Sequence, residues 1–174
     1  MPNTQPQGTT PTYKSRGSTH PTMFKCILAA VDGSEPSQHA LHLAAQLAKQ
    51  QDAQLHIVTV TPPLPAMAVE GFSPEYLPQY QEDLEKAMQQ TLDKAAEETR
   101  KTHPRLKVIT HLKEGRPARK ITETAAEIDA DLIVLGSRGT SGVLTWLLGS
   151  VAREVADSCT VPVLVAKDQT YCQA

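Results

Sequence analysis

The chain predicts an α/β fold: a single doubly wound domain in which a five-stranded parallel sheet carries helices on both faces. Three observations lead there. From Phe24 onward, short apolar runs alternate with amphipathic helical stretches. The run Leu132-Ile133-Val134-Leu135 is apolar at consecutive positions, as a strand buried on both faces requires. A length of 174 residues with 40% hydrophobic content supports one core and is short for two.

Residues 1–22 hold four prolines, two basic residues and no acidic one, without an apolar period, and read as a disordered tail. The domain spans 23–168, and 169–174 form a second, short tail. Its first strand, 25–31, is followed by a helix at 35–51, with Ser34 as N-cap and Pro36 in the first turn. That helix buries Leu41, Ala44, Leu47 and Ala48. A second strand covers 54–60. Thr61 to Tyr80 contains five prolines and one glycine and reads as a long connection. At the carboxyl edge of the sheet, such a segment is either a cover for a ligand or a variable insertion. The next helix, 81–102, has Leu84, Met88, Leu92 and Ala95 on one stripe, which assigns them to the core. Strand 106–112, helix 117–129, strand 132–136, helix 149–158 and strand 161–166 complete the domain. Val151, Ala152, Val155 and Ala156 form the stripe of the last helix.

Several function classes are disfavoured. Net charge is −2 and the basic residues are scattered, so no stripe suits nucleic acid. No apolar stretch reaches the ~20 residues of a membrane span and no secretory signal opens the chain, so a cytoplasmic protein is expected. Cys26, Cys159 and Cys172 form no Cys-x-x-Cys pair. Cys26 falls in a strand as a buried reduced thiol, and Cys172 reads as an exposed one. His39 and His42 sit three apart on a helix with no further ligand at metal spacing. His56 and His111 fall in adjacent predicted strands, where partial burial with a hydrogen-bonded partner is expected.

The chemistry concentrates after the fourth strand, where the glycines read Gly136-x2-Gly139-x9-Gly149-Ser150. This strand-to-helix connection suits a phosphate. Glycine permits close backbone approach, and the first N–H groups of a helix have no intrahelical partner. Ser150 adds a hydroxyl and the positive end of the helix dipole, with Val151 beside it, and Arg138 adds a charged fork. Ser137 and Ser141 are further candidate donors. The alternative is that Gly136, Gly139 and Gly142 only relieve crowding in a turn. The spacing matches neither the Gly-x-Gly-x-x-Gly of dinucleotide sites nor the P-loop.

At these residues the chain resembles the universal stress protein family, whose nucleotide-binding members carry Gly-x2-Gly-x9-Gly-Ser/Thr after the fourth strand. Ile27-Leu28-Ala29-Ala30-Val31-Asp32-Gly33-Ser34 is similar to that family's first strand and its terminal acid. The resemblance implies a strand order of 3-2-1-4-5, which places the crevice at the reversal between strands one and four. It implies ATP as ligand, with Asp32 on the ribose and Ala30 and Val60 against the adenine. Gly136, Arg138, Gly139, Gly149, Ser150 and Val151 would take the phosphates. Mg²⁺ would be held mainly by phosphate oxygens and water. An Asx turn or a helix cap is the alternative role for Asp32. Ala30 replaces the proline common in the family, and Arg138 replaces a histidine. In the implied order the last strand, Val161 to Ala166, lies at the sheet edge and predicts a homodimer through that edge.

The resemblance implies a nucleotide-dependent switch or signalling module. A slow ATPase, a binder of AMP or cyclic AMP, and an interaction protein with purely structural glycines are the alternatives. Neither a Ser-Gly-Gly-x-Asp-Ser loop nor a His-x-Gly-His signature is present, which disfavours dedicated adenylyl-transfer machinery. Asp32 is the one candidate carboxylate from the motifs, and the resemblance places it too far from the γ-phosphate to orient water.

Overall fold

A computed structural model describes residues 22–64, 76–139 and 148–167, and among these residues nine elements alternate. They are β1 (Cys26–Ala30), α1 (Glu35–Gln51), β2 (Gln54–Thr61), α2 (Leu77–Thr102), β3 (Val108–Glu114), α3 (Pro117–Glu127), β4 (Leu132–Gly136), α4 (Ser150–Ser158) and β5 (Val163–Ala166). All strand pairs are parallel, and the sheet order is β3-β2-β1-β4-β5, as expected.

The period-2 alternation of each strand divides the apolar residues between two cores. Ile27, Ala29, Leu55, Ile57 and Val134 turn to the face covered by α1 and α2. Leu28, Val58, Ile133 and Leu135 turn to the face covered by α3 and α4. Consecutive apolar residues are therefore needed because both faces are dry. Asp131 ties the lower ends of β1 and β4 together, its Oδ2 accepting the N–H groups of Lys25 at 2.6 Å and Cys26 at 2.9 Å.

Helix α1 is capped by Ser34, whose Oγ accepts the Ser37 N–H at 3.3 Å, and it ends at Asp52 with φ 54. It buries Ser37, Ala40, Leu41, Ala44, Ala45 and Ala48, while Leu47 is half-buried. Helix α2 begins at Leu77, four residues before the expected start, because Pro78 fits a first helical turn as readily as a loop. It buries Leu92, Ala96 and Thr99. Strand β3 begins two residues later than expected, since a turn closed by the Leu106 N–H on the His103 carbonyl consumes 104–106. Helix α3 stops at Glu127, before the left-handed Asp129 (φ 50). Helix α4 starts at Ser150 with Gly149 as N-cap, and Ala156 is exposed rather than on its buried stripe. Strand β5 starts at Val163, after Pro162. The expected tails, apart from Thr22, lie outside the described residues, as does Cys172.

His56 and His111 pack as expected: Nδ1 of His56 lies 2.8 Å from Nε2 of His111, with the rings stacked at a centroid distance of 5.1 Å. Cys26 and Cys159 are half-buried free thiols, and burial pushes the Cys26 thiol up, helped by Asp131 and Asp129. Among the described residues no helix is long and apolar enough to cross a membrane.

Candidate functional site

Strands β1 and β4 are parallel neighbours in register, Ala29 opposite Val134, so the residues just past their ends meet at one level. Between those ends opens a cavity of ≈ 370 Å³, within the range of about 300–1,000 Å³ usual for small-molecule sites. All nine residues singled out in the sequence line it: Ala30, Asp32, Val60, Gly136, Arg138, Gly139, Gly149, Ser150 and Val151. Ten further residues line it, and five of them come from the helices α1, α2 and α3. Ser37 comes from α1, Leu84 and Met88 from α2, and Pro117 and Ile121 from α3.

The lining supplied by β2 and α2 is apolar, and polar groups come from Asp32 after β1 and from the connection between β4 and α4. Ala30, Val58, Val60, Leu84, Met88 and Ile121 offer hydrocarbon. Leu84 and Met88 thus wall the cleft rather than the core. A helical period shows that a face avoids water, and a cleft wall and a core both do. Pro62 also lines the cavity, Leu77 to Tyr80 belong to α2, and 65–75 of the expected connection lie outside the described residues.

Past the connection from β4, α4 opens without a side-chain cap. The N–H groups of Ser150, Val151 and Ala152 have no intrahelical partners by helix geometry. Ser150 is exposed. Gly149, expected to present a free N–H, instead donates it to the Ser137 carbonyl at 2.8 Å. Ser137 is buried, donates its N–H to the Ala166 carbonyl at 2.9 Å and is not among the cavity residues. Ser141 and Gly142 lie outside the described residues.

The acid at the end of β1 makes the Asx turn that the sequence allowed. Asp32 Oδ1 accepts the Ser34 N–H at 3.0 Å and the Ser34 hydroxyl at 2.5 Å. Its other oxygen lies on the side of the glycine loop, where a Cβ on Gly139 would stand 2.6 Å from Oδ2. Asp32 and the glycine loop thus face one another at the crevice. The in-register strands bring acid and loop together.

His39 and His42 lie on the exposed side of α1, His42 with Nδ1 at 3.2 Å from the Gln38 carbonyl oxygen. Among the described residues no three His, Cys, Asp or Glu side chains cluster as metal ligands.

The profile described as the universal stress protein family matches residues 23–167. Universal stress protein YxiE of Bacillus subtilis is 35% identical over 154 residues, covering 83% of this chain and all of that protein. Among solved structures, a universal stress protein in complex with cAMP superposes with a TM-score of 0.60 at 26% identity, covering 82% of this chain and 97% of the other. The universal stress protein from Archaeoglobus fulgidus in complex with dAMP gives a TM-score of 0.55 at 25% identity, covering 82% and 98%. With its sheet order, glycine spacing and a profile match over nearly the whole domain, the chain belongs to the universal stress protein family.

Proposed function

We propose that this protein binds ATP in the cavity between β1 and α4 and acts as a nucleotide-dependent switch. The observation that carries this is the convergence of both sequence motifs on one cavity. Its lining is mixed in chemistry, as an adenine nucleotide is. The hydrocarbon of Ala30, Val60, Leu84 and Met88 suits a base, the Asp32 carboxylate suits ribose hydroxyls, and the uncapped start of α4 with Ser150 and Arg138 suits phosphates. Mg²⁺, where present, would be held mainly by phosphate oxygens and water.

A second ligand class has its own support. The neighbours in complex with cAMP and dAMP carry one phosphate, and Gly149 already spends its N–H inside the protein. Calorimetric titration of nucleotide-free protein with ATP, AMP and cAMP separates the two. Tightest binding of ATP is expected, tightest binding of cAMP or AMP would reassign the ligand, and no binding of any would refute the site.

We also propose a homodimer through β5. The strand is at the sheet edge, its Val163, Leu164 and Val165 are only half-buried, and an edge of this composition leaves apolar side chains and backbone groups to be covered.

A further inference from the structure

Helices α1 and α2 lie over the same face of the sheet, and a second cavity of ≈ 160 Å³ opens between them. The side chains lining it are short where the helices face one another: Ala45 on α1, and Thr91, Ala95 and Thr99 on α2. Among the described lining residues only Val31 is shared with the cavity at the ends of β1 and β4. At about 30 Å³ per water the space takes about five waters, less than a drug-sized ligand needs.

The second half of α2 supplies most of the polar lining. The Thr99 and Thr102 hydroxyls donate to the carbonyls of Ala95 at 2.8 Å and Glu98 at 2.9 Å, so each oxygen has only lone pairs left to offer. Nδ1 of His103 is buried and has no hydrogen-bond partner among the described residues, a condition that costs stability until a ligand or water meets it. Lys94 and Glu98 bring one charge of each sign to the rim, both at exposed positions. The same helix closes Glu82–Lys86 at 2.9 Å and Glu97–Lys101 at 2.7 Å, with the acid ahead of the base. Lys94 and Glu98 stand in the reverse order, the weaker one, and among the described residues no ion pair joins them. Glu98 also acts on Lys101, which Glu97 holds.

A cation alone would meet Lys94 and an anion alone would meet Glu98, whereas a molecule with both charges suits both. Among the described residues no three His, Cys, Asp or Glu side chains cluster for a metal. We propose that this cavity is a second binding site, for a small amino acid in its zwitterionic form. Its ammonium donates to Glu98 and to the Thr99 and Thr102 oxygens, its carboxylate accepts from Lys94 and His103 Nδ1, and its short side chain rests on Leu41 and Ala45. The proposal is independent of nucleotide binding at the other cavity.

The test is amide NMR on the isotope-labelled full chain, titrated with L-alanine, with ethylamine and with propionate, the last two carrying one charge each on a similar skeleton. Alanine is expected to give saturable shifts at Thr99, Thr102 and His103, with half-saturation at least about tenfold below that of either single-charge probe. Lys94→Gln and Glu98→Gln, changes at exposed positions of a helix, each weaken alanine at least about tenfold in a protein with native dispersion elsewhere. Shifts that never saturate mean a cavity filled by water and overturn the site. Equal binding of ethylamine or propionate, or native affinity in either variant, overturns the recognition of a zwitterion.

Discussion

A Cβ on Gly136 would stand 2.7 Å from the Pro36 carbonyl carbon and 2.8 Å from the Ser37 nitrogen, both backbone atoms of α1's first turn. On Gly139 it would meet a side chain instead, the Asp32 carboxylate at 2.6 Å. The two glycines of one motif thus have different consequences. Gly136→Ala must separate β4 from α1, and it is expected to cost about 1–3 kcal/mol, the usual range for overpacking, seen as a lower melting temperature. Gly139→Val would press on the Asp32 carboxylate at the cavity. Its expected effect is at least a tenfold loss of ATP affinity, about 1.4 kcal/mol or more, in a protein that still folds. Calorimetry that finds native affinity in folded Gly139→Val would remove the loop from the site.

At the scale of elements, the β2–β3 pair carries a built-in pH response. Burial is the leading cause that pushes both His56 and His111 below the ordinary imidazole value, with His111 and Lys107 adding to it for His56 and Lys113 for His111. Glu127, paired with Lys113 at 2.6 Å, opposes the shift at His111. A lowered folded value means the unfolded chain binds protons first. Stability is then complete above the unfolded value of about 6.5 and falls as pH drops below it toward the folded values. His111→Asn should flatten that decline between pH 7.5 and 5.5 in chemical denaturation. An equal decline in the variant would place its origin elsewhere. The opposite edge carries the dimer prediction. Val165→Asp on β5 puts a charge into the proposed interface, and sedimentation at tens of micromolar should show the native protein as a dimer and the variant as a monomer. A native monomer independent of concentration would refute the interface. Pro162, which has no N–H to give, limits the ladder to the residues after it.

For the whole molecule, the proposed nucleotide is expected to be held rather than consumed. Among the described residues lining the cavity Asp32 is the one acid, and one of its oxygens accepts two hydrogen bonds from Ser34. A carboxylate engaged by the protein, with no second acid among the described residues lining the cavity to orient water, disfavours hydrolysis. Turnover well below the ~10 s⁻¹ typical of enzymes is expected in single-turnover assays with Mg²⁺. Several turnovers per second that vanish in Gly139→Val would make the protein an ATPase.

Composition and spacing by themselves determined the order of strands and helices, the dryness of both sheet faces and the two stretches that carry the site. Each is a local property: an apolar period, a capping serine before Pro36, glycines at a fixed spacing before a helix. Tertiary structure decided what each residue faces. Leu84 and Met88 share a period with Leu92, yet Leu92 is buried in the core and the other two wall a cavity, because α2 runs past the end of β2. Gly149 has the sequence context of a phosphate donor, and the fold turns its N–H onto Ser137. Asp32 and Gly139 are far apart along the chain, and only the parallel register of β1 with β4 brings them into contact, since periodicity specifies a face and never its neighbour.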